Sequence, residues 1–240
     1  MPADDVDLHL WYARDWLDRG GLRLNFVASV DGAATAEGLS GGLQTAGDNR
    51  VFAALRDLAD VVVAGAGTVR AEGYRPIDVT ASRRAVRRDH GLSEALPTTV
   101  ISRSLRLDPS SALFTAAPAE ARTIVITATA GDVEVLAALR NVADVIVAGD
   151  QDVDLVAARA ALEDRGLTRI LCEGGPTMFG DLAHARVVDE LCLSVTPLLV
   201  GPGAPRIVAG RTWGGDLIPL ALTGLLEENG ALFCRYRLTR

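Results

Sequence analysis

The sequence predicts an α/β fold: a mainly parallel central sheet with helices on both faces, finished by a C-terminal antiparallel hairpin. Three observations carry this. Short apolar runs alternate with helix-like segments along most of the 240 residues, the pattern that builds covered parallel sheets. Two of the runs, 61–65 and 169–172, break at glycines and open directly into helix-forming sequence. Near the end, residues 222–227 and 232–238 flank Glu228-Asn229-Gly230, a hairpin turn signal.

The elements follow in order. Residues 1–21 read as a lead-in with one short helix at about 8–17. Residues 22–30 alternate like a strand and turn at Asp31-Gly32. A Gly/Ser/Thr loop covers 38–47, and a helix starts at Asp48 as N-cap, with Val51, Leu55 and Leu58 on one face. After the 61–65 strand, the polar segment 77–96, with Arg83, Arg84, Arg87 and Arg88, reads as a solvated helical or mobile insertion. Strands are predicted at 98–102, 123–127 and 144–149, and helices at 132–140 and 154–164. The latter presents Val156, Ala157, Ala160 and Ala161 as its apolar side. A helix to about Ala185 and a strand at 190–196 precede the hairpin. No Pro-, Gly- or Ser-rich linker divides the chain, so a single domain over 1–240 is expected.

Composition narrows the function. A net charge of −7 argues against nucleic-acid binding, which needs a basic face. No apolar run approaches the ~20 residues of a membrane span. The acidic N-terminus is unlike a secretory leader, so a cytoplasmic protein is expected. Cys172, Cys192 and Cys234 are isolated within strand-like runs and read as small core residues. His9, His90 and His184 lack ligand spacing, so no metal is expected.

The two elbows carry the chemistry. In Glu173-Gly174-Gly175-Pro176-Thr177 a strand ends in an acid, two glycines turn the backbone, and Pro takes a first helical position whose N–H is dispensable. The first-turn amides and the helix dipole favour an anion such as a phosphate, with Thr177 adding a hydroxyl. Gly65-Ala66-Gly67-Thr68 repeats the pattern without the third glycine of a dinucleotide fingerprint. Two elbows suggest a ligand with more than one phosphate at the carboxyl ends of strands, a nucleotide cofactor being the economical choice. Glu173 is the candidate catalytic group, either as an acid or as an anchor for substrate N–H groups. Asp31 reads as a backbone cap within its turn.

Together with Asn25-Phe26-Val27-Ala28-Ser29-Val30-Asp31-Gly32, these elbows resemble the reductase domain of the riboflavin-biosynthesis deaminase–reductases, the RibD C-terminal family, over about 22–238. The resemblance implies a dihydrofolate-reductase-like fold and NADPH-dependent reduction of a phosphoribosylaminopyrimidine to its open-chain ribityl form. It implies that Val27 and Ala28 line the nicotinamide pocket and that Gly65, Gly67, Thr68 and Glu72 run along the cofactor at the first elbow. Gly174, Gly175, Pro176, Thr177, Met178, Phe179, Gly180 and Asp181 would wrap the pyrophosphate. Ser102, Arg103 and Ser104 would meet the adenosine 2′-phosphate, Arg103 as its charge partner. Gly41, Arg56, Arg75 and Glu173 would face the substrate, with Arg56 or Arg75 clamping the ribose phosphate.

Two positions depart from the family pattern, Leu43 in place of an aromatic and Tyr74 within Glu72-Gly73-Tyr74-Arg75-Pro76, and both are expected on the substrate side. The deaminase half, with its His-x-Glu and Pro-Cys-x-x-Cys zinc signature, does not occur in the chain. A pterin- or folate-type reductase and a non-catalytic NADPH-binding regulator are the alternative readings. The apolar strand at 190–196 and the stretch 197–205 look like an uncovered edge, and a homodimer pairing there is expected, as the family also implies.

Overall fold

A computed structural model describes residues 1–3, 5–210 and 217–239. Along the chain run α1 (Leu8–Ala13), α2 (Trp16–Arg19), β1 (Gly21–Ser29), α3 (Ala46–Asp57), β2 (Val61–Gly65), α4 (Ala66–Ala71), α5 (Ala81–Asp89), β3 (Thr98–Ile101), α6 (Ala112–Thr115), β4 (Ile124–Thr127), α7 (Val133–Val142), β5 (Asp144–Val147) and α8 (Leu155–Glu163). Then come β6 (Arg169–Cys172), α9 (Pro176–His184), β7 (Glu190–Thr196), β8 (Leu220–Glu228) and β9 (Ala231–Leu238). The architecture is the α/β one expected, with mostly parallel strands and an antiparallel C-terminal hairpin. The chain forms two compact units, Met1–Leu58 with Leu171–Arg240, and Ala59–Ile170. One boundary follows α3 directly and the other falls inside β6, so no linker composition marks either.

In the first unit β1 is buried at all nine residues and pairs in parallel with β7, Phe26 beside Leu193 and Val27 beside Ser194. The other side of β7 carries β9 in antiparallel register, and β8 pairs beyond it. β7 is therefore interior, contrary to the edge expected from its apolarity; its residues are apolar because strands lie on both sides. Glu190, at the start of β7, accepts from Arg23 Nε at 2.8 Å and Arg235 Nε at 2.6 Å. Burial opposes its charge, but the two guanidiniums more than offset that and hold its carboxyl below the ordinary range. Arg23 also lies 3.9 Å from the Trp16 ring centroid, which ties the lead-in to the sheet.

That lead-in holds two short helices rather than one. Asp7 caps α1 by accepting from the Leu10 amide at 3.1 Å, and Asp15, at φ 63°, breaks the run before α2. The cap of α3 also differs from the expectation. Thr45 accepts from the Asp48 amide at 3.1 Å, so Thr45 is the N-cap. Asp48 instead sits buried in the first turn, where its carboxylate takes a hydrogen bond from Ser194 of β7.

In the second unit β2, β3, β4 and β5 pair in parallel in that order. Ala64, Val100, Val125, Leu113, Phe114 and Leu139 form the core against them. Asp60, just before β2, takes a two-pronged bond from Arg169 (2.9 and 2.7 Å) and a third from the Arg169 amide at 2.8 Å. The polar segment 77–96 is helical at α5, but it is not solvated throughout. Arg87 is fully buried, and its guanidinium donates to the carbonyls of Ala59, Ser93 and Ala95 at 2.6–3.0 Å. Backbone acceptors gathered around the fork satisfy a charge that its neighbours in sequence gave no reason to bury. The buried side of α8 is Ala158 and Leu162, while Val156 is 58% exposed. Nearly every position of α8 is apolar, so several stripes fit the sequence, and the i, i+4 pair carrying the larger Leu is the one packed.

All three cysteines are buried, as expected. No helix among the described residues is long and apolar enough to cross a membrane.

Candidate active site

The first unit gathers a set of groups around the end of β6. Gly174 turns the chain at φ 106°, and a Cβ there would lie 3.0 Å from the Phe26 ring. Phe26 in turn stacks on Phe179 of α9, with centroids 5.1 Å apart. Glycine is needed both for the backbone angle and for the close approach. The Gly174–Gly175 peptide is cis. Gly175 caps α9 and Pro176 follows at its start, as the sequence predicts. The amides of the first helical turn have no carbonyl inside the helix to bond, and Thr177 is exposed beside them.

Glu173 is held from a distant element. Arg56, in the last turn of α3, donates from Nε to Oε1 at 2.6 Å and from Nη2 to Oε2 at 2.7 Å. The Glu173 side chain is 2% exposed and that of Arg56 20%. The Arg56 guanidinium also lies over Phe52, one turn earlier on the same helix, 4.2 Å from the ring centroid.

A return strap, Pro197 to Gly210, leaves β7 and ties the neighbouring pieces together. Val30 donates its amide to Leu198 O at 3.0 Å, and Ala34 to Pro205 O at 2.8 Å. The Asp31 carboxylate accepts from the Gly201 amide at 2.8 Å and from that of Val200, and also from the Ser29 hydroxyl. The Ser29 hydroxyl first, then these amides, holds its carboxyl below the ordinary range. Asp31 is thus a cap, as its turn suggests. At the far end Ala209 donates to Pro176 O at 3.1 Å, and a Cβ on Gly180 would come within 2.2 Å of Ala209 O.

Other candidates of this unit are placed as follows. Val27 and Ala28 are both buried, but strand alternation sends them to opposite faces, so a pocket on one face takes only one of the two side chains. Gly41 opens an exposed turn of 3-10 helix, and Leu43 in that turn is fully buried. Leu43 is a core residue, not a substrate-side one. Met178 is half-buried, Gly180 buried and Asp181 half-buried on α9. The sequence reading missed Asn25 of β1, whose Oδ1 is buried without a hydrogen-bond partner among the described residues. A lone amide inside a nine-residue buried strand was the available signal. It also missed Phe26 and Phe52 as supports.

In the second unit the first elbow forms as predicted. Gly65 ends β2 and caps α4, and Gly67 is exposed, with nothing within 4 Å of where a Cβ would stand. Thr68 is half-buried, and its carbonyl accepts from the Glu72 amide at 2.9 Å. Ser102 is buried and donates its amide to Ile126 O at 2.9 Å, while Arg103 and Ser104 are exposed just beyond β3. Arg103 makes an ion pair with Asp152, 2.9 Å between Nη1 and Oδ1. Arg75 is exposed and makes no ion pair among the described residues. Tyr74, the second departure from the family pattern, is half-buried and packs against the unit's apolar core. No cluster of His, Cys, Asp or Glu among the described residues is arranged to hold a metal ion.

Comparison with known proteins agrees with these motifs. The chain is 30% identical over 192 residues to a 2,5-diamino-6-ribosylamino-4(3H)-pyrimidinone 5′-phosphate reductase of Archaeoglobus fulgidus, covering 79% of this chain and 86% of that one. It superposes on the crystal structure of a pyrimidine reductase-like protein from Corynebacterium diphtheriae with a TM-score of 0.88 and 30% identity, over 98% of this chain and all of the other. Acinetobacter baumannii RibD shares the fold at 16% identity and a TM-score of 0.69, over 98% of this chain and 62% of that one. The profile of the RibD C-terminal domain matches residues 21–217. With the Gly174–Gly175 elbow, the Glu173–Arg56 pair and this match in agreement, the chain belongs to the RibD C-terminal domain family.

Proposed function

We propose that this protein is an NADPH-dependent reductase that converts the ribosyl group of a phosphoribosylaminopyrimidine to the ribityl form, as a step of riboflavin biosynthesis or in a closely related role. The observation that carries the reading is the family match spanning both elbows, with a buried carboxylate at the end of β6.

The elbows suit a pyrophosphate-bearing cofactor. The first turn of α9 offers amides that have no carbonyl inside the helix to bond, and Gly67 leaves open space at the other elbow. Gly174 to Asp181 would hold the pyrophosphate, and Gly65, Gly67, Thr68 and Glu72 would run beside the cofactor. Val27 or Ala28 would border the nicotinamide. Ser102, Arg103 and Ser104 would receive a 2′-phosphate, with Arg103 exchanging Asp152 for it. When bound, NADPH supplies the hydride.

The chain's own residues orient the acceptor and exclude water. Glu173, held by Arg56, would accept hydrogen bonds from substrate N–H groups, and the proton for the atom that gains charge would come from water. Gly41 would border the substrate. Arg75, exposed and without an ion pair among the described residues, is suited to the ribose phosphate. A cytoplasmic, homodimeric enzyme fits this role. β8 is the outer strand of its sheet and exposes Leu220, Leu222 and Leu225, and a monomeric mass by light scattering would remove the dimer.

The test is to follow nicotinamide absorbance with purified protein, NADPH and the phosphoribosylaminopyrimidine. Turnover supports the assignment. Oxidation with dihydrofolate alone would reassign the substrate, and tight NADPH binding without oxidation on either would make the protein a regulator.

A further inference from the structure

We infer that Asp31 is a positioning residue for the cofactor: its carboxylate latches the strap Pro197 to Gly210, whose far end walls the first turn of α9. This role rests on NADPH being the cofactor, as proposed above, and adds a part of the chain that neither elbow contains.

The strap joins two ends of the proposed cofactor site. Its near end lies on the turn that leaves β1, just past Val27 and Ala28, and its far end lies on Pro176 and Thr177 at the start of α9. There Ala209 donates to Pro176 O at 3.1 Å, and a Cβ on Gly210 would stand 3.2 Å from Thr177 Cγ2. Gly180 has no side chain to hold the strap off the helix. The helical turn whose amides suit a pyrophosphate therefore has the strap as its neighbour on one side.

Between those ends the strap has little of its own to hold it. Gly201 and Gly203 stand at φ 90° and 100° and carry no side chain that packs. Asp31 supplies the tie at this point. Its Oδ2 accepts from the consecutive amides of Val200 and Gly201 at 3.2 and 2.8 Å, as an anion does in a backbone nest. The Ser29 hydroxyl, buried at the end of β1, donates to Oδ1 and fixes the orientation of the carboxylate. The ties of Val30 to Leu198 and of Ala34 to Pro205 run from main chain to main chain, whereas the Asp31 tie is one that replacing a side chain cuts. An unlatched strap spends part of its time away from α9, and the apparent cofactor affinity falls by the fraction of molecules that keep the wall.

The experiment uses the full chain as wild type, D31N and D31A. Calorimetry gives the Kd for NADP⁺, and steady-state kinetics with NADPH and the phosphoribosylaminopyrimidine give kcat and KM. Amide hydrogen exchange read by mass spectrometry follows Val200, Gly201 and Ala209. The latch predicts that D31A raises the Kd about tenfold, the equivalent of one charge-assisted hydrogen bond. D31N, which keeps one acceptor oxygen, raises it less. The loss appears in Kd and in the KM for NADPH, while kcat at saturation falls by no more than about twofold. Exchange in D31A quickens at Val200 and Gly201 and also at Ala209, the end that Asp31 does not touch. In wild type, NADP⁺ slows exchange at all three.

A wild-type Kd in D31A would overturn the inference, and so would a lower kcat with an unchanged Kd. Faster exchange that stops short of Ala209 would overturn it too, because the strap would then not act as one piece. No binding of NADP⁺ by wild type would instead overturn the cofactor reading, and this inference with it. Should D31A fail to fold by near-ultraviolet dichroism, D31N and the exchange of wild type with and without NADP⁺ are read by the same criteria.

Discussion

The two strand-to-helix elbows look alike in sequence and differ in what surrounds them. At Gly174–Pro176 the backbone is gripped from several sides. Phe26 lies where a side chain on Gly174 would go, Arg56 holds Glu173, and the strap carbonyl of Ala209 presses on Gly180 one turn on. At Gly65–Thr68 the strand is equally buried, but Gly67 faces open space and the helix that follows runs only six residues. The same local grammar of strand, glycine and helix thus serves a crowded hinge in one unit and an open rim in the other. Tertiary contacts decide which glycines are structurally required.

Four measurements break or sharpen that contrast. The largest effect is expected at the crowded elbow. E173Q keeps the shape but loses the charge, and turnover should fall by about 100-fold or more; a kcat within a factor of two of wild type would remove Glu173 from the chemistry. Next, G180A puts a methyl 2.2 Å from the Ala209 carbonyl. Overpacking of this kind costs about 1–3 kcal/mol, to be read as a drop of several degrees in Tm.

Third is a pH effect on the helix facing β7. Burial raises the carboxyl of Asp48, with the Ser194 hydroxyl pulling it partly back. A folded-state value above the unfolded one means that stability is greatest below the unfolded value of about 3.9 and declines as pH rises through the folded one. D48N should therefore narrow the Tm difference between about pH 4 and about pH 7; an unchanged difference would show that Asp48 is not its source. The smallest stability effect belongs to the open elbow. G67A should move stability by no more than about 0.5 kcal/mol while raising the KM for NADPH, whereas a large loss of Tm would show that this elbow is as crowded as the other.

Much of this was legible because burial and turn chemistry are local. The runs at β2, β3, β4 and β7 announce themselves by their apolarity, Gly175-Pro176 by cap preference, and Asn229-Gly230 by hairpin geometry. What was not legible depends on partners remote in sequence. Nothing around Arg87 says that three carbonyls converge on it, and nothing in α3 says that Arg56 meets an acid 117 residues later. β7 reads like an edge until both of its neighbours are known, and α8, apolar nearly all round, offers no unique stripe. Leu43, fully buried, looked like a substrate-side departure because the family pattern marks positions without saying which way a side chain turns.

Cys172 stands immediately before Glu173, fully buried, its thiol pushed up to about 12 by that burial. Cys192, on β7, is shut in the same way. In the closed protein neither sulfur can supply the thiolate that alkylating reagents need. Labelling must wait for the strands to part, which gives the protein a built-in clock: the rate at which iodoacetamide marks Cys172 times the opening of the strand end that carries Glu173.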